Sequence, residues 1–232
     1  MNDRHLTFAN HVCIKLDSEN DRIKLKNGCE LFIVQDDKDV TVSGVVAGLP
    51  SKLYYSGEVN KGMPWLCDME LRMGDRVIIY YLSVVNALKQ ETQKYFMKDG
   101  ERFVFIPYSS IYAKIVDGKP VPVNGYCLIE PCEDPYQISV KDKMEKIGLT
   151  YVGSMAPKRT NTHVVFGVVR YLSDPIKEYA GGDSDKGVDV KAGDKVVMKK
   201  ITDVLLQYEL HSQVDDKKPY YRIQRRYLYA KA

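Results

Sequence analysis

Met73-Gly74-Asp75-Arg76-Val77-Ile78-Ile79 returns 119 positions further on as Ala192-Gly193-Asp194-Lys195-Val196-Val197-Met198. In each copy the glycine supplies the positive φ of a tight turn, the aspartate can hydrogen-bond the backbone that follows, and an apolar run then launches a strand. A single echo can arise by chance, so the test is whether other segments recur in the same order. His11-Val12-Cys13-Ile14-Lys15 aligns with Gly125-Tyr126-Cys127-Leu128-Ile129 at an offset of 114, and Ser43-Gly44-Val45-Val46 with Phe166-Gly167-Val168-Val169 at 123. Ile111-Tyr112-Ala113-Lys114 aligns with Leu228-Tyr229-Ala230-Lys231 at 117. Four matches in order imply a duplicated unit, and the drifting offset marks surface connections of unequal length.

A chain of 232 residues suits one large domain or two of roughly 115. The repeat selects two: a first unit over 1–116, a short linker over 117–123 stiffened by Pro120 and Pro122, and a second unit over 124–232. Runs rich in Val, Ile, Tyr and Phe, bounded by Gly, Pro, Asn and Asp, predict strands near 12–16, 42–47, 76–81, 102–106, 126–129, 163–170, 195–199 and 220–224. Helical periodicity is confined to 84–97, where a hairpin would serve as well. The expected class is all-β, a small barrel or sandwich in each half.

Each half also has a long charged segment after its first strand, 17–38 and 131–162, carrying an apolar knot: Leu31-Phe32-Ile33-Val34 and Ile147-Gly148-Leu149-Thr150-Tyr151-Val152. Connections of that length inside compact domains are commonly functional. A four-residue apolar run also has the form of a core strand, and both readings stand at this point.

Composition narrows the function classes. A net charge of +3 with 28% charged residues is too balanced to point by itself to nucleic acid or an anionic membrane. No stretch approaches the ~18 consecutive apolar residues of a membrane span. The opening MNDRHLTFANH lacks the apolar centre of a signal peptide, so the expectation is a cytoplasmic chain. Five cysteines without a C-x-x-C pair read as reduced structural thiols. His5, His11, His163 and His211 have no cysteine or carboxylate at ligand spacing, so no metal is expected. No phosphate-binding glycine motif, zinc-protease motif or nucleophile elbow occurs, and the expectation is a protein that is not an enzyme and carries no cofactor. The stretch 181–187 reads as a solvated hairpin tip, with 52–63 as its counterpart and Trp65 as a packing anchor. Seventeen tyrosines and Arg222-Ile223-Gln224-Arg225-Arg226-Tyr227 raise single-stranded nucleic acid as a partner. The same alternation suits an exposed strand face, and the expectation is no nucleic acid and no membrane.

The order of these signals is familiar. First strand, long loop with a glycine and an aliphatic knot, G-V-V strand, G-D-[RK]-V strand, the hairpin Asp99-Gly100-Glu101-Arg102-Phe103-Val104-Phe105-Ile106 and the terminal Ser110-Ile111-Tyr112-Ala113-Lys114-Ile115 together resemble the GroES-type co-chaperonin family, counted twice. The resemblance implies two tandem small GroES-like β-barrels, each with a long loop after its first strand. It also implies a homo-oligomeric ring in which the terminal strand pairs with the first strand of a neighbouring subunit, placing Ile111, Ala113, Leu228 and Ala230 at the interface. By position, Gly28 with Leu31, Phe32 and Ile33, and Gly148 with Leu149, Tyr151 and Val152, would be the mobile-loop residues that bind a GroEL-type chaperonin. ATP would be bound by that chaperonin, and the function implied is to cap its folding chamber, in the host cytoplasm if the chain is virus-encoded. The pair of glycines usual in the family is a single one in each half, Cys29 and Glu30 intervene in the first loop, and Thr150 interrupts the second. The alternative is a ring-forming structural or assembly protein, for example viral, that keeps the barrel without chaperonin binding.

The loop energetics are consistent with that implication. Ordering a loop costs roughly 1–2 kcal/mol per residue, and burying three large apolar side chains returns about 1.5–3 kcal/mol each. Where only the few contacting residues become ordered, one loop sits near balance, and many loops on one ring bind by avidity.

Overall fold

The structure is a computed structural model, described over residues 10–17, 22–24, 30–32, 42–56, 62–89, 94–133, 135–148, 164–187, 189–199 and 220–231. In the first half the elements are β1 (His11–Leu16), β2 (Arg22–Lys24), β3 (Glu30–Phe32), β4 (Ser43–Gly48), β5 (Trp65–Leu66), β6 (Arg76–Ile79), α1 (Tyr81–Leu88), β7 (Tyr95–Lys98), β8 (Glu101–Pro107), β9 (Ile111–Val116) and β10 (Lys119–Pro122). In the second half they are β11 (Tyr126–Cys132), α2 (Pro135–Lys146), β12 (Val164–Leu172), β13 (Glu178–Tyr179), β14 (Lys195–Lys199), β15 (Tyr221–Gln224) and β16 (Leu228–Lys231). The chain is mostly β, as its alternating Val, Ile and Tyr runs predict.

Two large antiparallel sheets result. The first has the order β10-β9-β6-β4-β1-β8-β7 and curls as a half-barrel, and the second has the order β15-β11-β12-β14-β16. Remove the two outermost strands of the first, and β9-β6-β4-β1-β8 matches β16-β14-β12-β11-β15 strand for strand. The registers match too: Gly44 faces Val77 as Gly167 faces Val196, and Ala113 faces Ile78 as Ala230 faces Val197. Even the bulges recur, at Cys13/Ile14 and Leu128/Ile129, and at Ile78/Ile79 and Val197/Met198. Bulges are specific local features, so their recurrence at equivalent positions extends the match from strand order to register.

The cores confirm the correspondence side chain by side chain. Val12, Ile14, Val46, Leu71, Val77, Ile79 and Ile106 are buried together in the first half. Cys127, Ile129, Val169, Val190, Val196, Met198 and Ile223 take the same places in the second. This corrects the first-strand alignment. Ile14 corresponds to Ile129, an offset of 115 rather than 114, so Cys127 matches Val12 and faces the core, whereas Cys13 lies on the opposite face of its strand. A slip of one residue exchanges the two faces of a strand, and burial of the apolar set decides between them.

The Gly-Asp turns perform as the sequence predicts. Gly74 and Gly193 have φ of 87° and 92°. Asp75 Oδ2 accepts the Arg72 N–H at 2.8 Å, and Asp194 Oδ2 accepts the Lys191 N–H at 3.0 Å. Gly44 and Gly167 have a different reason to be glycine. A Cβ on Gly44 would lie 2.6 Å from Ile14 Cγ2, and one on Gly167 2.4 Å from Ile129 Cγ2, because the neighbouring strand leaves no room.

Three expectations change. The segment read as a linker over 117–123 is a hairpin arm: Asp117 and Gly118, both at positive φ, turn the chain so that β10 pairs with β9 as the edge of the first sheet. Its prolines fit there because an edge strand needs no second row of N–H donors. Of the stretch 84–97, residues 84–88 close α1 and residues 95–97 open β7, so the helix is shorter and lies earlier than the periodicity suggests. The second long segment, expected to be irregular, contains the twelve-residue α2.

Candidate functional site

The residues singled out for chaperonin binding fall in three places. Leu31 and Phe32 lie on β3, which pairs with β2 in a ribbon that, among the described residues, is hydrogen-bonded to neither large sheet. Gly28, Ile33, Leu149, Tyr151 and Val152 lie outside the described residues. Gly148 is described: its φ of 75° and its N–H to Glu145 O at 3.0 Å end α2 in the left-handed conformation that glycine adopts without strain. Along α2 Ile138 is exposed, and Ile147, the residue before Gly148, is 71% exposed.

The terminal strands are placed differently from the expectation. Ile111 is fully buried in the core of the first half, and Ala113 is buried between the halves. Both edges of β9 are filled, by β6 and β10, and both edges of β1, by β4 and β8. A terminal strand therefore finds no free edge of β1 to pair with, which corrects the strand pairing implied by the resemblance. Leu228 packs against the second core, and Ala230 lies on β16, which among the described residues pairs only with β14. That edge of β16 is the counterpart of the edge of β9 that receives β10.

The most elaborate site in the molecule is the joint between the halves. Tyr112 meets Tyr126 edge-on with ring centroids 4.9 Å apart. The Arg222 guanidinium lies over the Tyr112 ring at 4.3 Å and the Tyr80 ring at 4.6 Å. Ile78, Ala113, Leu128 and Tyr220 close the apolar part. A second contact pairs β5 with β13, where Trp65 packs against Tyr179 at 6.3 Å and Tyr126 at 6.4 Å, so Trp65 is the anchor its position suggested.

A polar network fixes the chain where it crosses from one half to the other. Asn124, fully buried at φ 61°, donates through Nδ2 to Tyr108 O at 2.7 Å and Ile111 O at 3.0 Å. Its backbone N–H donates to Glu70 Oε2 at 2.7 Å, and Tyr108 Oη donates to the same oxygen at 3.2 Å. Burial pushes the Glu70 carboxyl above its ordinary value, and these two donors oppose the shift. Asp185 is fully buried, accepting the Ile176 N–H at 3.1 Å and the Tyr179 hydroxyl at 2.9 Å, so the 181–187 stretch is solvated at Gly181 and Gly182 but inserted at Asp185.

These hydrogen bonds tie the two halves together where the chain crosses between them. Burial pushes the thiols of Cys67 and Cys127 up to about 12 and that of Cys13 to about 11, which leaves them protonated near neutral pH. Among the described residues no group of three His, Cys, Asp or Glu side chains is placed to hold a metal ion, and no helix is long and apolar enough to cross a membrane. Comparison with protein-family models and with curated proteins finds no match to this chain.

Sequence reasoning did not assemble the joint. Its signal was present in the Arg-Tyr alternation of the last strands, read there as an exposed or nucleic-acid-binding face. The structure engages those groups internally: Arg222 stacks on two tyrosines, Arg225 is buried with a guanidinium N–H on Ser173 O at 2.7 Å, and Arg226 lies over Tyr179 at 4.2 Å.

Proposed function

We propose that the chain is a co-chaperonin: two GroES-like units in tandem, assembled into a ring, that cap the folding chamber of a GroEL-type chaperonin and leave with its ATP cycle. The observation that carries this reading is the duplicated five-strand unit with a long segment following the first strand of each copy. A lid needs rigid units to build a rim and weak apolar contacts on long connections to dock and release. In the first half Leu31 and Phe32 on a ribbon separate from the core sheet suit that use. The reading includes no catalytic step by this chain and no cofactor of its own.

A second reading, a ring-forming structural or assembly protein without chaperonin binding, is favoured by one feature: α2 occupies part of the second segment, where a docking loop would be. The two are separated by ATP-dependent co-sedimentation with a GroEL-type chaperonin, followed by refolding of a stringent client. Under the first reading the wild type co-sediments and supports refolding, and Leu31→Asp combined with Leu149→Asp abolishes both without changing the native mass. Failure of the wild type to co-sediment in ATP would leave the second reading.

A further inference from the structure

The two edges of the first sheet are finished differently. At the β10 edge the Val123 N–H donates to Tyr112 O at 2.9 Å. By antiparallel alternation Lys119 and Val121 then bond β9, and Pro120 and Pro122 stand at the outward positions with no N–H to offer. That edge is blunted. At the β7 edge the Phe105 N–H donates to Lys94 O at 2.8 Å. Phe96 and Lys98 therefore bond β8, while Tyr95 and Met97 turn their N–H and C=O groups outward. Among the described residues β7 pairs only with β8.

The side chains along β7 suit an added strand. On the face toward α1, Tyr95 and Met97 line a cleft of about 320 Å³ together with Leu88 and Arg102, and Met97 is 50% exposed. On the opposite face Phe96, 37% exposed, stacks on Phe103 with ring centroids 4.9 Å apart. Lys94 and Lys98 flank Phe96 on that same face and are exposed. Glu101, across from Lys98, is engaged by Lys15 at 3.0 Å, and Asp99 lies in the turn beyond the strand.

These charges select the occupant. A second β7 laid antiparallel and centred on Phe96 would set Lys94 of one copy against Lys98 of the other at both ends, which like charges disfavour. A strand with carboxylates at those two positions meets a lysine with each. We propose that β7 is a docking edge for an extended segment of a partner protein in which three apolar residues are flanked by Asp or Glu, added antiparallel. Main-chain bonds to Tyr95 and Met97 hold it, its first and third apolar side chains enter the cleft, and the middle one covers Phe96. The flanking carboxylates face Lys94 and Lys98. The site needs no chaperonin, nucleotide or ring, and it stands apart from the proposed function.

The probe is the fluorescein-labelled peptide Ser-Gly-Asp-Val-Phe-Val-Asp-Gly-Ser, titrated with the full chain at low salt and followed by fluorescence polarisation. It binds saturably, and exchanging both of its aspartates for lysine weakens binding at least about tenfold. Met97→Pro deletes one outward N–H while sparing the bonds to β8, and weakens binding about tenfold. N-methylation of the two valines, whose N–H groups face Tyr95 and Met97, abolishes binding to wild type; N-methylation of the phenylalanine, whose N–H faces away, does not. That comparison keeps a readout if the proline variant does not fold. No saturation up to ~1 mM chain, equal binding of the lysine peptide, or indifference to valine methylation overturns the inference. So does a wild-type assembly that Met97→Pro disperses to single chains, because the occupant of the edge is then a second copy.

Discussion

Replacing Asn124 by alanine tests whether the joint is held by the contacts described. The side chain donates to two buried carbonyls, Tyr108 O and Ile111 O, and the backbone stands at φ 61°. Loss of two hydrogen bonds costs about 2 kcal/mol, at ~1 kcal/mol each. Alanine in the left-handed region adds about 1 kcal/mol that asparagine largely avoids by local hydrogen bonding. The expected loss for Asn124→Ala is thus about 3 kcal/mol, a fall in Tm of about 6–12 °C for a chain of this size. Asn124→Gly loses the same bonds without the backbone strain and should cost about 2 kcal/mol. Trp65, the single tryptophan, packs in this joint, so its fluorescence during urea unfolding reports on the right place. An alanine variant within about 0.5 kcal/mol of wild type, or a glycine variant clearly worse than alanine, would refute the account.

Glu70 predicts a pH effect: burial raises its folded pKa above the ordinary 4.5, so its contribution is complete below that value and is lost as pH rises through the folded one. The urea midpoint of Glu70→Gln should therefore climb relative to wild type as pH rises from the ordinary 4.5 through the raised folded value, and a constant difference would count against the assignment. Gly44→Ala and Gly167→Ala each place a methyl group against a neighbouring strand and should each destabilise by about 1–3 kcal/mol in calorimetry. If one is harmless and the other severe, the equivalence of the two halves fails. In the native protein at mildly alkaline pH, Cys13 and Cys127 should resist alkylation and become labelled on denaturation; peptide mass mapping that finds either of them modified while folded contradicts their burial.

The duplicated unit was legible because its signals are local. A glycine that turns the chain, an aspartate that accepts the next N–H and an alternating apolar run are set by residues a few positions apart, and both copies kept them. The β class and most strand positions followed from the same patterns. The candidate loop residues were legible only as apolar knots in charged surroundings, and the pairing of β3 with β2 that puts Leu31 and Phe32 on a ribbon came from the structure.

The amino-acid sequence by itself determined the β class, the two Gly-Asp turns and most of the strand positions. Tertiary structure alone decided that Ile14 answers Ile129 rather than Leu128, that 117–123 is the arm of a hairpin, and that Arg222 lies on Tyr80 and Tyr112. The physical reason is range. Turn and strand propensities act over a few residues, whereas register, edge occupancy and ring stacking are settled only when whole strands, some of them more than a hundred positions apart, compete for the same buried surface.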